Sequence, residues 1–170
     1  MGCVLGMNGP TGLGQSMRLA TSIVIATAFI LSRPVDAAEL NVVIDNLRSA
    51  KGAVFLALWN SAEGFTDSKA ALINTNMPAR MGQVSFDLGD LPAGTYAIAT
   101  FHDENGNGEF DTTWLGLPDE GLGFSNGAWI GLGAPSFKEA AFDLTADRDE
   151  SKAHIVRVGI RYPGDRAKAE

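Results

Sequence analysis

The feature that most constrains the fold of this chain is a period-two alternation of apolar and polar residues in short runs. In the first run, Leu40, Val42 and Ile44 fall on one face of an extended strand. Six runs separated by Gly, Pro, Asn and Asp predict strands joined by turns. The predicted strands cover residues 39–47, 53–59, 84–88, 95–102, 141–145 and 154–162. No alternation of strands with helices is visible, so the pattern predicts an all-β fold, an antiparallel β-sandwich.

Three segments refine this prediction. Residues 53–59 are apolar on both faces, which predicts a central strand. Residues 68–73 are a candidate helix, and residues 136–140 are a candidate helical turn. In that turn Ser136 can cap the first residues, because Glu139 follows three positions later.

The N-terminal segment has the order of a secretory signal peptide. Residues 19–31 are uncharged, Arg18 precedes them, and small residues follow at 35–38. The run is too short to span a membrane; a buried core helix is the alternative. We expect residues 1–16 not to be translated or to be disordered, 17–37 to be a signal peptide cleaved near Ala37 or Ala38, 38–162 to form a single β-sandwich domain, and 163–170 to be a polar tail. The expected location is the periplasm or the exterior, with no transmembrane span in the mature chain.

Composition limits the partners and the source of stability. Twenty acidic against 13 basic residues give a net charge of −7, which disfavours nucleic acid as a partner. The single cysteine, Cys3, precludes an intramolecular disulfide. The fold must therefore be stabilised by its core or by a bound ion.

Residues 103–135 form a long segment without clear periodicity, and such loops are usually functional or disordered. This one combines glycines with aromatic side chains, including Trp114, Phe124 and Trp129. We expect the aromatic side chains to pack into a small core of the loop itself. The alternative is an aromatic platform for a carbohydrate or another small ligand.

The loop opens with the pattern D-x-N-x-N-G-x-x-D, which resembles a calcium-binding loop of the EF-hand kind. Such loops place oxygen ligands at positions 1, 3, 5, 7 and 9 and a glycine at position 6, here Gly108. Position 12, normally a bidentate carboxylate, is Trp114, so another residue must replace that ligand. The candidate metal ligands are Asp103, Asn105, Asn107, Glu109 and Asp111, with Asp119, Glu120 or a later backbone carbonyl replacing the missing carboxylate.

The charge distribution favours a cation in this loop. No Lys or Arg occurs between Met81 and Phe137, whereas eight acidic residues do, six of them between Asp103 and Glu120. Clustered carboxylates repel one another without a counter-charge. Oxygen donors without Cys favour calcium over zinc or copper, so calcium is the expected cofactor. The alternative is an ordinary turn rich in Asn and Gly.

Residues 123–127, Gly-Phe-Ser-Asn-Gly, match the nucleophile elbow G-x-S-x-G of serine hydrolases. A remote alternative is therefore a small hydrolase with Ser125 as nucleophile and His102 beside it. That motif functions between a strand and a helix of an α/β sheet, which this sequence does not predict, so no catalytic residue is assigned. The candidate ligand-binding residues are His102, Trp114, Phe124, Ser125, Asn126 and Trp129.

Several blocks of sequence resemble one bacterial family. They are Leu-Pro-Ala-Gly-Thr-Tyr at 91–96, Phe-His-Asp-Glu-Asn-Gly-Asn-Gly at 101–108, Leu-Gly-Leu-Pro-Asp-Glu-Gly at 115–121, Gly-Phe-Ser-Asn at 123–126 and Ala-Pro-Ser-Phe at 134–137. In this order they resemble the family catalogued as domain of unknown function 2141, over about residues 40–162. The resemblance implies an exported protein of a Gram-negative bacterium, but no activity.

The blocks at 91–108 are also similar to prealbumin-like and adhesin-type, immunoglobulin-like β-sandwiches, which often carry calcium in loops at strand ends. This likeness concerns the fold, which does not fix function. We therefore expect a non-catalytic domain with a structural or binding role in the cell envelope. Its partner would be an unknown envelope protein or a small ligand.

Overall fold

The computed structural model of the protein describes residues 37–129, 133–146 and 153–163. Within them lie the strands β1 (Ala37–Leu47), β2 (Ala53–Trp59), β3 (Ile73–Pro78), β4 (Gly82–Pro92), β5 (Gly94–Asp103), β6 (Gly121–Phe124), β7 (Phe142–Leu144) and β8 (His154–Gly159). Two 3-10 turns cover Ser68–Ala70 and Ser125–Gly127, and the short helix α1 covers Phe137–Ala140. The expected signal peptide up to residue 36, residues 1–16 and residues 164–170 of the tail lie outside the described residues. No helix in the described part of the chain is long and apolar enough to cross a membrane.

The strands form two sheets. One has the order β4-β1-β8, and the other has the order β3-β2-β5-β6, with β7 also pairing with β5. Neighbouring strands are antiparallel except β1 and β8, which run parallel with Leu40 beside His154. The predicted all-β sandwich is confirmed, with this one parallel pair as a departure from the antiparallel pattern.

The main core lies between the sheets and follows the alternation in the sequence. Leu40 and Ile44 of β1 face Leu56 and Leu58 of β2 within one buried cluster, and all four are at most 1% exposed. Burial of such side chains contributes about 1.5–3 kcal/mol each. Strand β2 lies between β3 and β5, so its prediction as a central strand is confirmed.

A second, smaller cluster covers the other face of the larger sheet. Ala97 and Phe124 are buried there with Leu122 and Ala140, and Phe65 packs against them. Helix α1 supplies Ala140 and begins at Ser136 with the predicted capping box, in which the Glu139 amide N donates to Ser136 Oγ at 3.3 Å and the Ser136 amide N donates to Glu139 Oε2 at 2.7 Å. The larger sheet is therefore covered by the main core on one face and in part by this cluster on the other.

The prediction of a helix at residues 68–73 is wrong beyond its first turn. The 3-10 turn Ser68–Ala70 begins where the Asp67 side chain accepts a hydrogen bond from the Lys69 amide at 2.9 Å. The chain then enters β3, in which Ile73 pairs with Leu58 of β2. Pairing with a central strand outweighs weak local helix propensity.

The prediction of an aperiodic segment at 103–135 is also wrong in part, because β6 lies inside it. Its glycines are required by packing and not by a turn. A Cβ atom on Gly121 would lie 2.3 Å from Tyr162 Cε1, and one on Gly123 would lie 2.8 Å from the Gly159 carbonyl oxygen. Glycine lowers strand propensity, so the composition of β6 is typical of a loop although its backbone pairs with β5.

Candidate metal centre

The candidate site begins at the last residue of β5. Asp103 is 1% exposed, and its carboxylate accepts hydrogen bonds from two backbone amides, Gly106 N to Oδ1 at 2.6 Å and Gly108 N to Oδ2 at 2.8 Å. Both glycines have φ near +76°, in the left-handed region that favours glycine. The chain therefore turns around the Asp103 carboxylate directly after the strand.

The next side chains of the motif converge on one carboxylate. Asp111 Oδ2 accepts hydrogen bonds from Asn105 Nδ2 at 2.6 Å and from Asn107 Nδ2 at 2.8 Å. The amide oxygens of the two asparagines accept from the backbone N–H groups of Asn107 and Glu109. Positions 3, 5 and 9 of the motif thus meet at one point, as their spacing predicts.

Glu120 completes this group from the start of β6. Its side chain is 6% exposed, Oε2 accepts a long hydrogen bond of 3.5 Å from the Asp111 amide, and the buried Oε1 makes no hydrogen bond to the described residues. The pKa of the Glu120 carboxyl is raised to about 7, mainly by burial and also by the charges of Asp103 and Asp111, although the backbone amides of Asp111 and Glu104 lower it. A carboxyl in this environment is stabilised by a cation.

The other acidic residues of the loop lie elsewhere. The Asp119 side chain is exposed, although its backbone amide donates to the Asp111 carbonyl at 3.0 Å. The Glu109 side chain is also exposed. Glu104 forms an ion pair with Arg48, which lowers the pKa of the Glu104 carboxyl. Of the two residues considered for the missing ligand, the structure brings Glu120 next to Asp111.

His102 lies just before this group and is fully buried. Its Nε2–H donates to the Lys51 carbonyl at 2.8 Å, so Nδ1 accepts from the Tyr162 hydroxyl at 2.6 Å. The Tyr162 oxygen accepts in turn from the Arg48 backbone amide at 3.1 Å. This chain joins β5, the β1–β2 turn and the residues after β8. Sequence reasoning missed Arg48, Lys51 and Tyr162, since distant residues share no spacing pattern with His102.

Ser125 is buried and bonded to backbone groups. Its Oγ accepts from the Ile98 amide at 2.8 Å and donates to the Ala140 carbonyl oxygen. Asn126, with φ of 56°, donates from Nδ2 to the Glu139 carbonyl at 3.0 Å. Ser125 and His102 are hydrogen-bonded to other groups and not to each other, and Ser125 follows β6 into a three-residue 3-10 turn and not into an α-helix. The geometry of a nucleophile elbow is not formed here.

The aromatic side chains of the loop divide between core and surface. Phe124 belongs to the second cluster, whereas Trp114 is 91% exposed. The expectation of a small aromatic core within the loop is therefore wrong for Trp114, and Phe124 is buried against Ala97 and Ala140 outside the loop. The reason is local: hydrogen bonds between Thr113 and Leu117 and between Gly116 and Thr113 close a tight turn that directs Trp114 outward. The third residue, Trp129, stacks its ring on the Arg161 guanidinium at 4.8 Å.

The candidate metal ligands at this site combine carboxylates with side-chain amides. Among residues 37–129, 133–146 and 153–163, no three His, Cys, Asp or Glu side chains are grouped as a ready metal centre. The candidate set depends instead on the Asn105 and Asn107 amides, which are hydrogen-bonded to Asp111, together with the carboxylates of Asp111 and Glu120. Oxygen-only sets of this kind suit a hard cation.

Comparison with known proteins gives one match. The family model described as "Uncharacterized protein conserved in bacteria (DUF2141)" matches residues 42–152. No curated protein and no solved structure matches the chain. The match runs from the middle of β1 through β7 and includes all the candidate metal ligands.

Proposed function

The chain belongs to the DUF2141 family of uncharacterized bacterial proteins, and from that premise we propose that it is an exported, non-catalytic β-sandwich that binds calcium. The ion is held in the loop of residues 103–120. Calcium binding orders this loop and fits the domain for a structural or binding role in the cell envelope.

The single observation that carries the calcium proposal is the environment of Glu120. Oε1 is buried without a hydrogen bond, and Asp103 and Asp111 add negative charge close by. A buried, unsatisfied carboxyl oxygen costs about 1–3 kcal/mol or more. A cation between Glu120 and Asp111 offsets both the desolvation and the repulsion.

The alternative of an ordinary turn accounts for only part of the geometry. The hydrogen bonds of Asp103, Asn105 and Asn107 to backbone amides are those of Asx turns and need no ion. They do not explain why Glu120, nine residues after Asp111, is buried against the same group. Calcium binding explains both features.

Which donors hold the ion follows from the chemistry of the set. Asp111 and Glu120 supply carboxylates. Asn105 and Asn107 would each turn the side-chain amide so that its oxygen faces the ion in place of the Nδ2 group that donates to Asp111. The Asp103 carboxylate shapes the turn and adds negative charge. Two amides in place of two carboxylates lower the ligand charge, so the expected Kd is in the range of extracellular calcium modules, about 10⁻⁴–10⁻³ M.

Calorimetric titration of the EDTA-treated protein with calcium tests this proposal, together with thermal unfolding in about 10 mM calcium. We expect saturable binding of one ion and a rise of a few degrees in Tm. The variants Asp111→Asn and Glu120→Gln should lose most of both effects. Asp87→Asn, an exposed acid outside the loop, is the matched control and should respond like the native protein. Absence of heat and of any Tm shift, or an equal shift in Glu120→Gln, would refute calcium binding.

Export is supported by the uncharged run at residues 19–31 and the small residues that follow it. Cleavage after Ala37 or Ala38 removes at most the first two residues of β1. Sequencing the N-terminus of the protein from a Gram-negative host should therefore give Ala38 or Glu39 as the first residue. Recovery of the intact N-terminus from the cytoplasm would contradict export.

A further inference from the structure

An open groove of about 870 Å³ lies on the outer face of the larger sheet. Strands β2 and β5 form its floor, and residues 108–110 and 115–118 of the long loop form a wall. This volume is within the range of small-molecule sites, about 300–1,000 Å³. The groove is separate from the hydrogen-bonded group at Asp111 and Glu120.

Two small side chains, Ala57 and Ala99, line the floor between larger aromatic side chains; we call this pair the alanine step. In the antiparallel register Phe55 lies opposite Phe101, and Ala57 lies opposite Ala99. The two phenylalanine rings stack with centroids 4.8 Å apart and planes 4° apart. Trp59 follows on β2, so the alanine pair lies between the stacked rings and an indole. Because residues four apart on a strand are separated by about 13 Å, the step is wide enough for a ring system.

The wall adds further apolar surface. The Phe110 ring meets the Phe101 ring edge-to-face, with centroids 5.5 Å apart. Leu115 and Leu117 are 63% and 57% exposed, and both line the groove. Apolar side chains that remain exposed around a concave surface are typical of ligand sites.

The charge of the lining selects against anions. Among the described lining residues, the charged one is Glu109, and no Lys or Arg is present. The Thr100 hydroxyl in the floor already donates to the Phe55 carbonyl oxygen at 2.7 Å. An anion would meet the negative charge of Glu109 without a cation to pair with. The other polar side chains of the lining are those of Thr66, Ser68 and Asn74, and Asn74 lies beside Ala57 in the register of β2 and β3. These uncharged groups can bind a polar substituent at the edge of a neutral ligand.

We propose that this groove binds one uncharged, planar aromatic small molecule, seated on Ala57 and Ala99 between the phenylalanine pair and Trp59. The ligand buries its faces against the alanine step and its edges against the rings, which is the favoured arrangement for aromatic contacts. The proposal rests on the lining of the groove and not on calcium binding.

Fluorescence titration with N-phenyl-1-naphthylamine, an uncharged naphthalene dye, tests the groove. We expect saturable binding of one dye per chain. Ala99→Leu fills the step and should weaken binding at least tenfold. Phe110→Ala removes part of the wall from an exposed position and should weaken binding without affecting the fold. Ala62→Leu, in an exposed turn outside the groove, is the matched control and should bind like the native protein.

Three results would overturn the proposal. The first is no saturable binding by the native protein, and the second is equal affinity in the native protein, Ala99→Leu and Phe110→Ala. The third is a native dimer in sedimentation that Ala99→Leu converts to a monomer, since a second copy would then cover the groove. The sulfonated dye 8-anilinonaphthalene-1-sulfonate should bind more weakly than the neutral one; tighter binding would contradict the exclusion of anions.

Discussion

Glu120 is a buried carboxyl whose charged form is disfavoured both by burial and by the neighbouring acidic residues. Its folded-state pKa, about 7, lies above the ordinary value of 4.5. The folded protein therefore holds this proton more tightly than the unfolded chain does. The resulting stabilisation is full below about pH 4.5 and is lost as pH rises through about 7. In EDTA, we expect the free energy of unfolding to fall by up to about 3 kcal/mol across this window.

Urea unfolding in EDTA at about pH 5 and about pH 7.5 measures this change. Glu120→Gln has no such proton and should show little of the decrease. The lowered pKa of Glu104 makes the free energy of unfolding rise with pH, but only below about pH 4.5. It therefore does not mask the decrease between pH 5 and pH 7.5. A native protein equally stable at both pH values in EDTA would show that Glu120 is not held as described.

The Tyr162 hydroxyl can be tested separately from the Tyr162 ring. Tyr162→Phe keeps the ring on which the Arg48 guanidinium stacks at 4.1 Å but leaves buried His102 Nδ1 without its donor. We expect a loss of about 1–3 kcal/mol in the free energy of unfolding, the cost of a buried unsatisfied acceptor. The control is Tyr96→Phe, which removes a local hydrogen bond to the Pro92 carbonyl and should cost about 1 kcal/mol. Urea unfolding should show a larger loss of stability in Tyr162→Phe than in Tyr96→Phe. A larger loss in Tyr96→Phe would contradict a structural role for the hydrogen bonds that link His102 to Tyr162.

At the scale of elements, the β1–β2 turn packs directly against the end of β5. Gly52 has φ of +64°, and a Cβ atom there would lie 1.8 Å from the Asp103 carbonyl oxygen. Gly52→Ala must therefore displace the backbone of Asp103, the first residue of the proposed calcium-binding loop. We expect a loss of more than about 3 kcal/mol in unfolding free energy and weaker calcium binding.

Gly82→Ala is the control for that substitution. Gly82 also has a positive φ, of +92°, but a Cβ atom there meets nothing within 4 Å. It should cost about 1 kcal/mol of conformational strain and leave the calcium Kd unchanged. Urea unfolding and calcium titration of both variants distinguish the cost of a positive φ, which both share, from displacement of the Asp103 backbone, which only Gly52→Ala causes. Equal effects in the two would show that Asp103 does not depend on this contact.

The sequence predicts most elements because their patterns are local. The alternation of β1 and the apolar run of β2 give those strands to within two residues. Strand β6 could not be predicted, since Gly121 and Gly123 are dictated by contacts with residues after position 157. Strand β3 is equally inaccessible, because its pairing with β2 and not its own composition makes it extended.

The same distinction applies to the site. The odd-numbered spacing predicts that Asn105, Asn107 and Asp111 converge, because that follows from one turn of the chain. The choice of Glu120 over Asp119 depends on how β6 enters the sheet, which no spacing encodes. The groove could not be predicted either, because Phe55 and Phe101 become neighbours only through the register of β2 and β5.

At the scale of the whole molecule, one loop connects two proposed sites. Strand β5 contributes Phe101 to the groove floor and Asp103 to the proposed calcium-binding loop, two residues apart on the same strand. The loop then turns at Gly108, and its next residues, Glu109 and Phe110, line the groove. A calcium ion that orders residues 103–111 therefore also fixes one wall of the groove. The two binding events should be coupled.

Coupling of this kind is reciprocal by thermodynamic necessity. If calcium tightens the binding of N-phenyl-1-naphthylamine by some factor, saturating dye must tighten calcium binding by the same factor. We expect a factor of about five or more, since typical couplings are about 1–3 kcal/mol. Dye titrations in EDTA and in about 10 mM calcium give one factor, and calorimetric calcium titrations with and without dye give the other. In Glu120→Gln the dye affinity should no longer respond to calcium. If the fold-change in dye affinity caused by calcium differs reproducibly from the fold-change in calcium affinity caused by dye, one of the ligands binds at another site. If neither affinity changes, the wall of the groove is rigid without the ion.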